Sequence, residues 1–204
     1  MARATPTKVG VRVNLGVLEL SGEWEPNNAE RDAAWELYVE LITRVSVVPL
    51  SPDEGLLREA LSSLYSVFAS TRAILRKYGP DIAERKPSGQ YNFAFLAVTI
   101  LHTGIRPLLA RWHPELQDWE GQRTALVSIA SHERAWPLAA ALRTELDDAR
   151  IALTDFAAAL ATACGVPNLL DTIPTPPPPS LDTAPPAGGP TADQAPGLDH
   201  PSTP

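Results

Sequence analysis

The chain has 204 residues, 44% apolar and 20% charged, which are the proportions of a globular protein. Its formal net charge is −7, but residues 171–204 hold four acids and no base, so the rest of the chain carries 17 bases against 20 acids. Because no surplus of positive charge is available to neutralise phosphates, we expect no nucleic-acid partner.

The first 20 residues predict a small β element. No regular pattern covers residues 1–8, which we expect to be disordered. Apolar and polar side chains alternate over residues 9–15, the period of a half-buried strand, and residues 17–20 predict a second short strand. We therefore expect a β-hairpin over residues 9–20. Because an isolated hairpin is marginal in water, we expect it to pack against the helices or another chain, and Trp24 is a candidate anchor for that docking.

A helical period replaces the alternation after Asn28. Asn27 or Asn28 is predicted to cap this first helix, and Pro49 is predicted to end it. Its core-facing stripe is predicted from apolar residues at helical spacing, namely Trp35, Tyr38, Val39, Ile42 and Val45.

The clearest local signal marks the start of a second helix. Ser51 and Glu54 have the spacing of a capping box, and Pro52 stands at the first helical position, where its missing N–H costs nothing. Gly79 with the next proline provides a stop. The core-facing stripe of this helix is predicted from residues at helical spacing, namely Leu57, Leu61, Leu64, Phe68, Thr71, Leu75 and Tyr78. The sequence therefore predicts a helix over residues 52–78, followed by a polar loop over 80–91.

Residues 93–105 carry no charged side chain and are apolar on nearly every side of a helix. Such a helix is usually central in a bundle or covered by a partner. Gly104 and Pro107 predict a kink, because proline removes one backbone hydrogen bond, and His113-Pro114 predicts a further break or bend. The run has 13 residues, short of the roughly 17–25 that span a bilayer, so we expect no membrane partner.

The last long helix is predicted to start near Ser131, to carry an apolar stripe as far as Ala163 and to stop at Gly165. The predicted fold is mainly α, an up-down bundle of about four long helices with the N-terminal hairpin, as one domain over residues 9–170. Residues 171–204 hold 11 of the 21 prolines. We expect a disordered tail there, because burial of so few apolar side chains cannot offset the conformational entropy lost when the chain becomes ordered.

The segment from Arg106 to Glu120 concentrates ionisable and aromatic side chains more densely than the rest of the chain. Tryptophan and arginine are enriched among the energetically dominant residues of protein interfaces. We predict that one accessible binding patch is formed here by Arg106, Arg111, Trp112, His113 and Trp119. In the alternative interpretation, the two tryptophans close the end of the bundle and the charges remain solvated.

An enzyme is the competing hypothesis. A metal-dependent, hydrolase-like site would gather four side chains within residues 113–133, namely His113, Glu115, Asp118 and His132. Their spacing does not put histidines and carboxylates on one helical face, and the chain has no Gly-rich phosphate loop or nucleophile motif. The sequence therefore predicts no catalytic residue, no metal and no cofactor.

Two isolated groups have structural interpretations. His102 lies in the apolar run and is predicted to be a buried histidine with a hydrogen-bond partner. Cys164 is the chain's single cysteine, which excludes an intrachain disulfide and predicts an inert buried thiol.

Together these observations favour a non-enzymatic protein-interaction or accessory module. Its partner is expected to be another protein or a second copy of the chain, joined through the hairpin edge or the apolar helix. Arginine outnumbers lysine 14 to 3, which indicates a GC-rich bacterial genome. The N-terminus lacks the apolar core of a signal peptide, so we expect a cytoplasmic protein.

Overall fold

A computed structural model describes residues 7–16, 18–44 and 54–172. The protein is mainly helical, with 67% helix and a short three-stranded sheet near the N-terminus, which confirms that the fold is mainly α. The predicted disordered segments lie outside the described residues, except at their inner ends. There Asp171 and Thr172 belong to a 3-10 turn, Leu169–Thr172, so the predicted boundary at residue 171 is slightly early.

The described strands are β1 (Val9–Asn14), β2 (Glu19–Trp24) and β3 (Gln90–Tyr91). The described α-helices are α1 (Asn28–Ile42), α2 (Leu57–Tyr78), α3 (Phe93–Thr99), α4 (Arg106–Glu120), α5 (Ile129–Arg134) and α6 (Ala139–Ala163).

Strands β1 and β2 form the predicted hairpin, with Val9 opposite Trp24 and Asn14 opposite Glu19. The second strand runs beyond the predicted end at residue 20, because Leu20 and Trp24 are both buried and carry the alternation onward. Strand β3 adds to β2 in parallel. The sequence did not predict it, since two residues are too few to show a period.

Helix α1 begins at the predicted cap, where the Asn27 side chain accepts the Glu30 N–H and the Glu30 carboxylate accepts the Asn27 N–H. The predicted core stripe is wrong at Trp35 and Val39, which are 43% and 37% exposed, and is confirmed at the buried Tyr38. Helix α1 packs against both α6 and α2, and two alanines rather than Trp35 and Val39 lie on its buried face. Residues Ala33, Ala34, Leu37, Tyr38 and Leu41 form the buried face. The predicted Val45 and Pro49 lie outside the described residues.

Helix α2 begins at Leu57, not at residue 52. Residues 54–56 are not helical and Glu54 is exposed, while Ser51 lies outside the described part of the chain. The predicted stop is confirmed at Gly79, whose φ of 62° is favourable for glycine.

One continuous helical rod runs from Phe93 to Glu120, because a π-helical segment, Ile100–Ile105, joins α3 to α4. This π-helical segment is the irregularity that was predicted before Pro107. Proline has no N–H to donate and crowds the preceding turn. The Arg106 N–H accordingly donates to Leu101 O, five residues back, as in a π-helix.

The helix does not break at His113-Pro114, since α4 continues through Pro114; the alternative of a bend there stays a prediction. Trp112 and Leu116 flank the proline and are both buried. Their packing outweighs the cost of an interior proline, about 3 kcal/mol.

The outer face of this rod is less covered than predicted, because Phe95, Val98 and His102 are exposed. The length argument against a membrane span also fails, since the rod does not end near Gly104. Its 28 residues are long and apolar enough to cross a membrane, although 44% of the most apolar window is buried within the protein. The buried core helix of a globular protein has the same properties, so the absence of a membrane partner stays a prediction.

The predicted last helix is two helices. A turn at residues 135–138 contains Pro137 and separates α5 from α6, and the buried Trp136 packs edge-on against Trp112 at 5.8 Å between ring centroids. The predicted apolar stripe of α6 is confirmed, and Gly165 adopts a positive φ of 65° just beyond its end. The largest buried members of that stripe are Leu142, Leu146, Leu153, Phe156 and Leu160.

Candidate functional site

Helices α2, α4 and α5 meet around one buried carboxylate, that of Glu133. It accepts the backbone N–H of Leu57 at 2.6 Å and that of Arg58 at 3.3 Å, and the residue is only 4% exposed. The first turn of a helix has unpaired N–H groups and partial positive charge, and both stabilise a carboxylate there. Glu133 therefore caps α2 from a distant part of the chain.

The side chain of Arg58 connects the same turn to α4. Its Nε and Nη2 donate to the two oxygens of Glu120 at 2.9 and 2.8 Å, and its Nη1 lies 2.9 Å from Nδ1 of His113. A guanidinium group has no acceptor, so Nδ1 must accept and the imidazole proton resides on Nε2. Burial and the neighbouring Arg58 cation lower the pKa of His113, against a smaller opposing effect of Glu120.

Trp119 and His132 hold α5 against the end of α4. Their rings stack at 4.7 Å with an interplanar angle of 12°. Trp119 Nε1 donates to the His132 carbonyl at 2.9 Å, and His132 Nε2 donates to the Trp119 carbonyl at 2.7 Å. These reciprocal bonds position the α5 segment that carries Glu133.

Beside this junction, an open groove of about 340 Å³ lies between α2 and α4. Tyr65 is 65% exposed and meets the His113 ring edge-on at 6.0 Å. Phe68 meets the His102 ring edge-on at 6.2 Å. None of the described residues that line the groove is a carboxylate. The lining of this α2–α4 groove consists of Tyr65, Phe68, His102, Arg106, Leu109, Ala110 and His113.

The groove includes two of the five predicted binding residues, Arg106 and His113. Arg111 and Trp112 lie instead against α6, where Arg111 Nη1 and Trp112 Nε1 contact the Glu145 carboxylate at 2.5 and 2.6 Å. The Arg111 guanidinium carbon also stands 4.5 Å above the Trp112 ring.

The five residues therefore do not form one accessible patch. Trp112 is 1% exposed and belongs to the core, while Trp119 packs on His132. Successive helical residues point about 100° apart, so neighbours in sequence face different elements. A binding role for Arg106 and His113 stays a prediction.

The side chains of the alternative enzyme site occupy separate environments. His113 pairs with Arg58 and His132 stacks on Trp119, while Glu115 and Asp118 are exposed on α4. In the part of the chain that the structure describes, no group of three or more His, Cys, Asp or Glu residues is placed to hold a metal ion.

Sequence reasoning missed the contribution of α2 to the groove. Phe68 was assigned to the core stripe but is half-buried, and Tyr65 lies outside that stripe. An aromatic residue on the polar side of an amphipathic helix was the available signal. The tertiary pairings of Arg58 and Glu133 have no such local signal.

His102 and Cys164 have different outcomes. His102 is exposed, so the predicted buried histidine is wrong, because the outer side of the π-helical segment faces solvent. Cys164 is half-buried and donates to the Arg31 carbonyl at 3.4 Å. Burial raises the pKa of this thiol to about 11, which favours the predicted inert thiol.

Comparisons of the chain with protein-family models, with curated proteins and with solved structures found no match.

Proposed function

We propose that the protein is a non-enzymatic interaction module that binds a partner protein in the α2–α4 groove. The observation that supports this function is the lining, which combines an exposed and a half-buried aromatic ring, those of Tyr65 and Phe68, with cationic or polar nitrogen groups and lacks a carboxylate among the described residues. Aromatic and arginine side chains dominate the energetics of protein interfaces. As an accessory subunit, the protein would act in a bacterial cytoplasm.

The charge of the groove selects the partner. Arg106 is exposed and has no ion-pair partner in the described ranges, whereas the nearby Arg58 is neutralised by Glu120. A protein of net charge −7 therefore presents a local positive site beside Tyr65 and Phe68. The proposed occupant is a partner segment that places a carboxylate next to one or two apolar or aromatic anchors.

A firm backbone supports such a groove. We propose that the long helices form an up-down bundle, whose α2 and α4 are joined beside the groove by the Arg58, Glu120 and His113 contacts. Fixing both walls before binding reduces the entropy lost on association.

Site-specific photo-crosslinking tests the proposal in the source organism. A benzophenone amino acid replaces Tyr65 in one variant and Leu169, which is also exposed, in a matched control. We expect one protein to be captured from the Tyr65 position and not from Leu169. Equal capture from both positions, or capture of a second copy of this chain alone, would contradict a groove specific for another protein.

The captured protein then permits a quantitative test with purified components. Arg106→Glu is expected to weaken binding by about fivefold or more, as for a residue that contributes over 1 kcal/mol. Arg76→Glu makes the same charge change at an exposed position of α2 outside the groove, and should leave the Kd nearly unchanged. Equal Kd values for both variants would contradict the proposed recognition of a carboxylate.

A further inference from the structure

A second concavity lies on another side of the helical rod, away from the residues that line the α2–α4 groove. Its walls come from the hairpin turn at residues 14–16, the π-helical segment and α6, and its volume is about 490 Å³. Small-molecule sites commonly have volumes of about 300–1,000 Å³. The cavity is therefore large enough for a small organic ligand.

The local sequence explains why space remains here. The π-helical segment lies just before Pro107. Short π-helical segments within α-helices occur frequently at functional sites. Gly104 has no side chain, and a Cβ there would lie 3.1 Å from Leu15 Cδ2. Helix α6 contributes Ala149 and Ala152 opposite. Small side chains on facing elements thus leave a mainly apolar hollow.

The charge of this cavity is opposite to that of the groove. Two carboxylates of α6, those of Glu145 and Asp148, line it, and no Lys, Arg or His is among its described lining residues. Glu145 is already bound by Arg111 and Trp112. Asp148 is exposed and has no hydrogen-bond or ion-pair partner in the described ranges. With Arg111 included, the group carries one net negative charge.

We propose that this cavity binds a small organic monocation, with its apolar body in the hollow and its ammonium group beside Asp148. Apolar walls at Ile100, Leu108 and Leu153 would cover the body of the ligand. The single uncompensated carboxylate matches one positive charge, and it disfavours an anion of the same shape. The site differs in both position and charge preference from the α2–α4 groove.

The direct test uses the 2-phenylethylammonium ion as a probe of the folded full chain, followed by amide NMR shifts. We expect saturable shifts at Leu15, Gly104 and Ala152. The uncharged 2-phenylethanol should bind more weakly, and the 3-phenylpropanoate anion should not bind. Equal binding of the three compounds, or shifts confined to other residues, would overturn the proposal.

Two variants distinguish binding in the cavity from a general attraction of the cation to an acidic protein. Asp148→Asn should weaken binding of the probe by about two- to fivefold, the usual contribution of an exposed ion pair. Asp147→Asn removes the same charge from a neighbouring residue that pairs with Arg150 outside the cavity, and should have little effect. An equal loss in both variants would overturn the role of Asp148.

Ala149→Phe is designed to fill the hollow. In a variant that keeps the wild-type circular dichroism spectrum, the probe should no longer shift the three cavity amides. Retention of wild-type affinity by that folded variant would overturn the cavity as the site. Should Ala149→Phe not fold, the Asp148→Asn and Asp147→Asn comparison decides the outcome on its own.

Discussion

The carboxylate of Glu133 accepts the backbone N–H of Leu57 at 2.6 Å across 76 positions of the chain. Helix α2 therefore depends on α5 for its cap, and α5 is in turn held on α4 by the Trp119 and His132 stack. The start of α2 therefore depends on the position of α5, and both lie beside the α2–α4 groove.

We predict that Glu133→Ala lowers the free energy of unfolding by about 2–3 kcal/mol, because the buried Leu57 N–H and the half-buried Arg58 N–H lose a charged acceptor. Urea denaturation measures this loss. Glu54→Ala is the matched control: it removes the acid of the capping box that was predicted from the sequence, which is exposed, and should change stability by less than about 0.5 kcal/mol. Equal losses in both variants would contradict the long-range cap.

A second buried carboxylate, that of Glu30, joins the sheet to the helices. It accepts from Trp24 Nε1, the Phe93 N–H and Lys86 Nζ, and the residue is 0% exposed. Glu30→Ala should cost about 3–5 kcal/mol, because Lys86, whose side chain is only 13% exposed, would lose its carboxylate partner, and Trp24 Nε1 and the Phe93 N–H would lose their acceptor. Asp32→Ala, at an exposed position of α1, is the control. A loss below 1 kcal/mol for Glu30→Ala, on the scale of a surface pair, would count against this network.

The His113 environment predicts a pH dependence of stability. Its folded pKa is lowered from the ordinary value of 6.5, so below that pH the unfolded chain binds a proton that the folded chain resists. The free energy of unfolding should therefore fall as the pH decreases through 6.5 toward the folded pKa. Urea titrations at several pH values measure it.

The matched variant for that experiment is His113→Gln, which keeps an acceptor for Arg58 but does not titrate. The difference in free energy of unfolding between the wild type and this variant should vary with pH only below about 7. An NMR titration of the His113 imidazole gives the folded pKa directly. A value above that of the unfolded chain would show that the sign is wrong.

Cys164 should react slowly with a thiol reagent. Its pKa is raised to about 11 from 9.0, which lowers the thiolate fraction at pH 8 by about 100-fold, and the thiolate is the reactive form. We expect slow labelling by a disulfide reagent in buffer and fast labelling in urea. Comparable labelling rates in the two solvents would show that the native thiol is not buried and that its pKa is not raised.

Local chemistry accounts for the features that were predicted correctly. The alternation at Val9–Asn14, the helix cap at Asn27, and the glycine stops at Gly79 and Gly165 each involve neighbours within a few residues. Their physical basis is backbone conformation and short-range hydrogen bonding. A single sequence contains all the information that such features need.

Features that depend on distant residues were predicted wrongly or missed. Trp35 was placed in the core by its helical spacing, but it is 43% exposed, whereas the nearby Ala33 and Ala34 are buried. The rod passes through Pro114 because Trp112 and Leu116 are buried on either side of it. Hydrophobic packing can override a local propensity of a few kcal/mol, and a pattern within one helix does not specify the partner.

The candidate site shows the same division. Arg106 and His113 were recognisable as unusual residues, and the mainly helical class followed from periodicity alone. Folding alone separates Arg106 and His113 from Trp112. It also pairs Arg58 with Glu120 and brings Tyr65 beside His113. Composition and period report which side chains are available, whereas a site requires particular side chains from different helices to meet, and long-range packing alone brings them together.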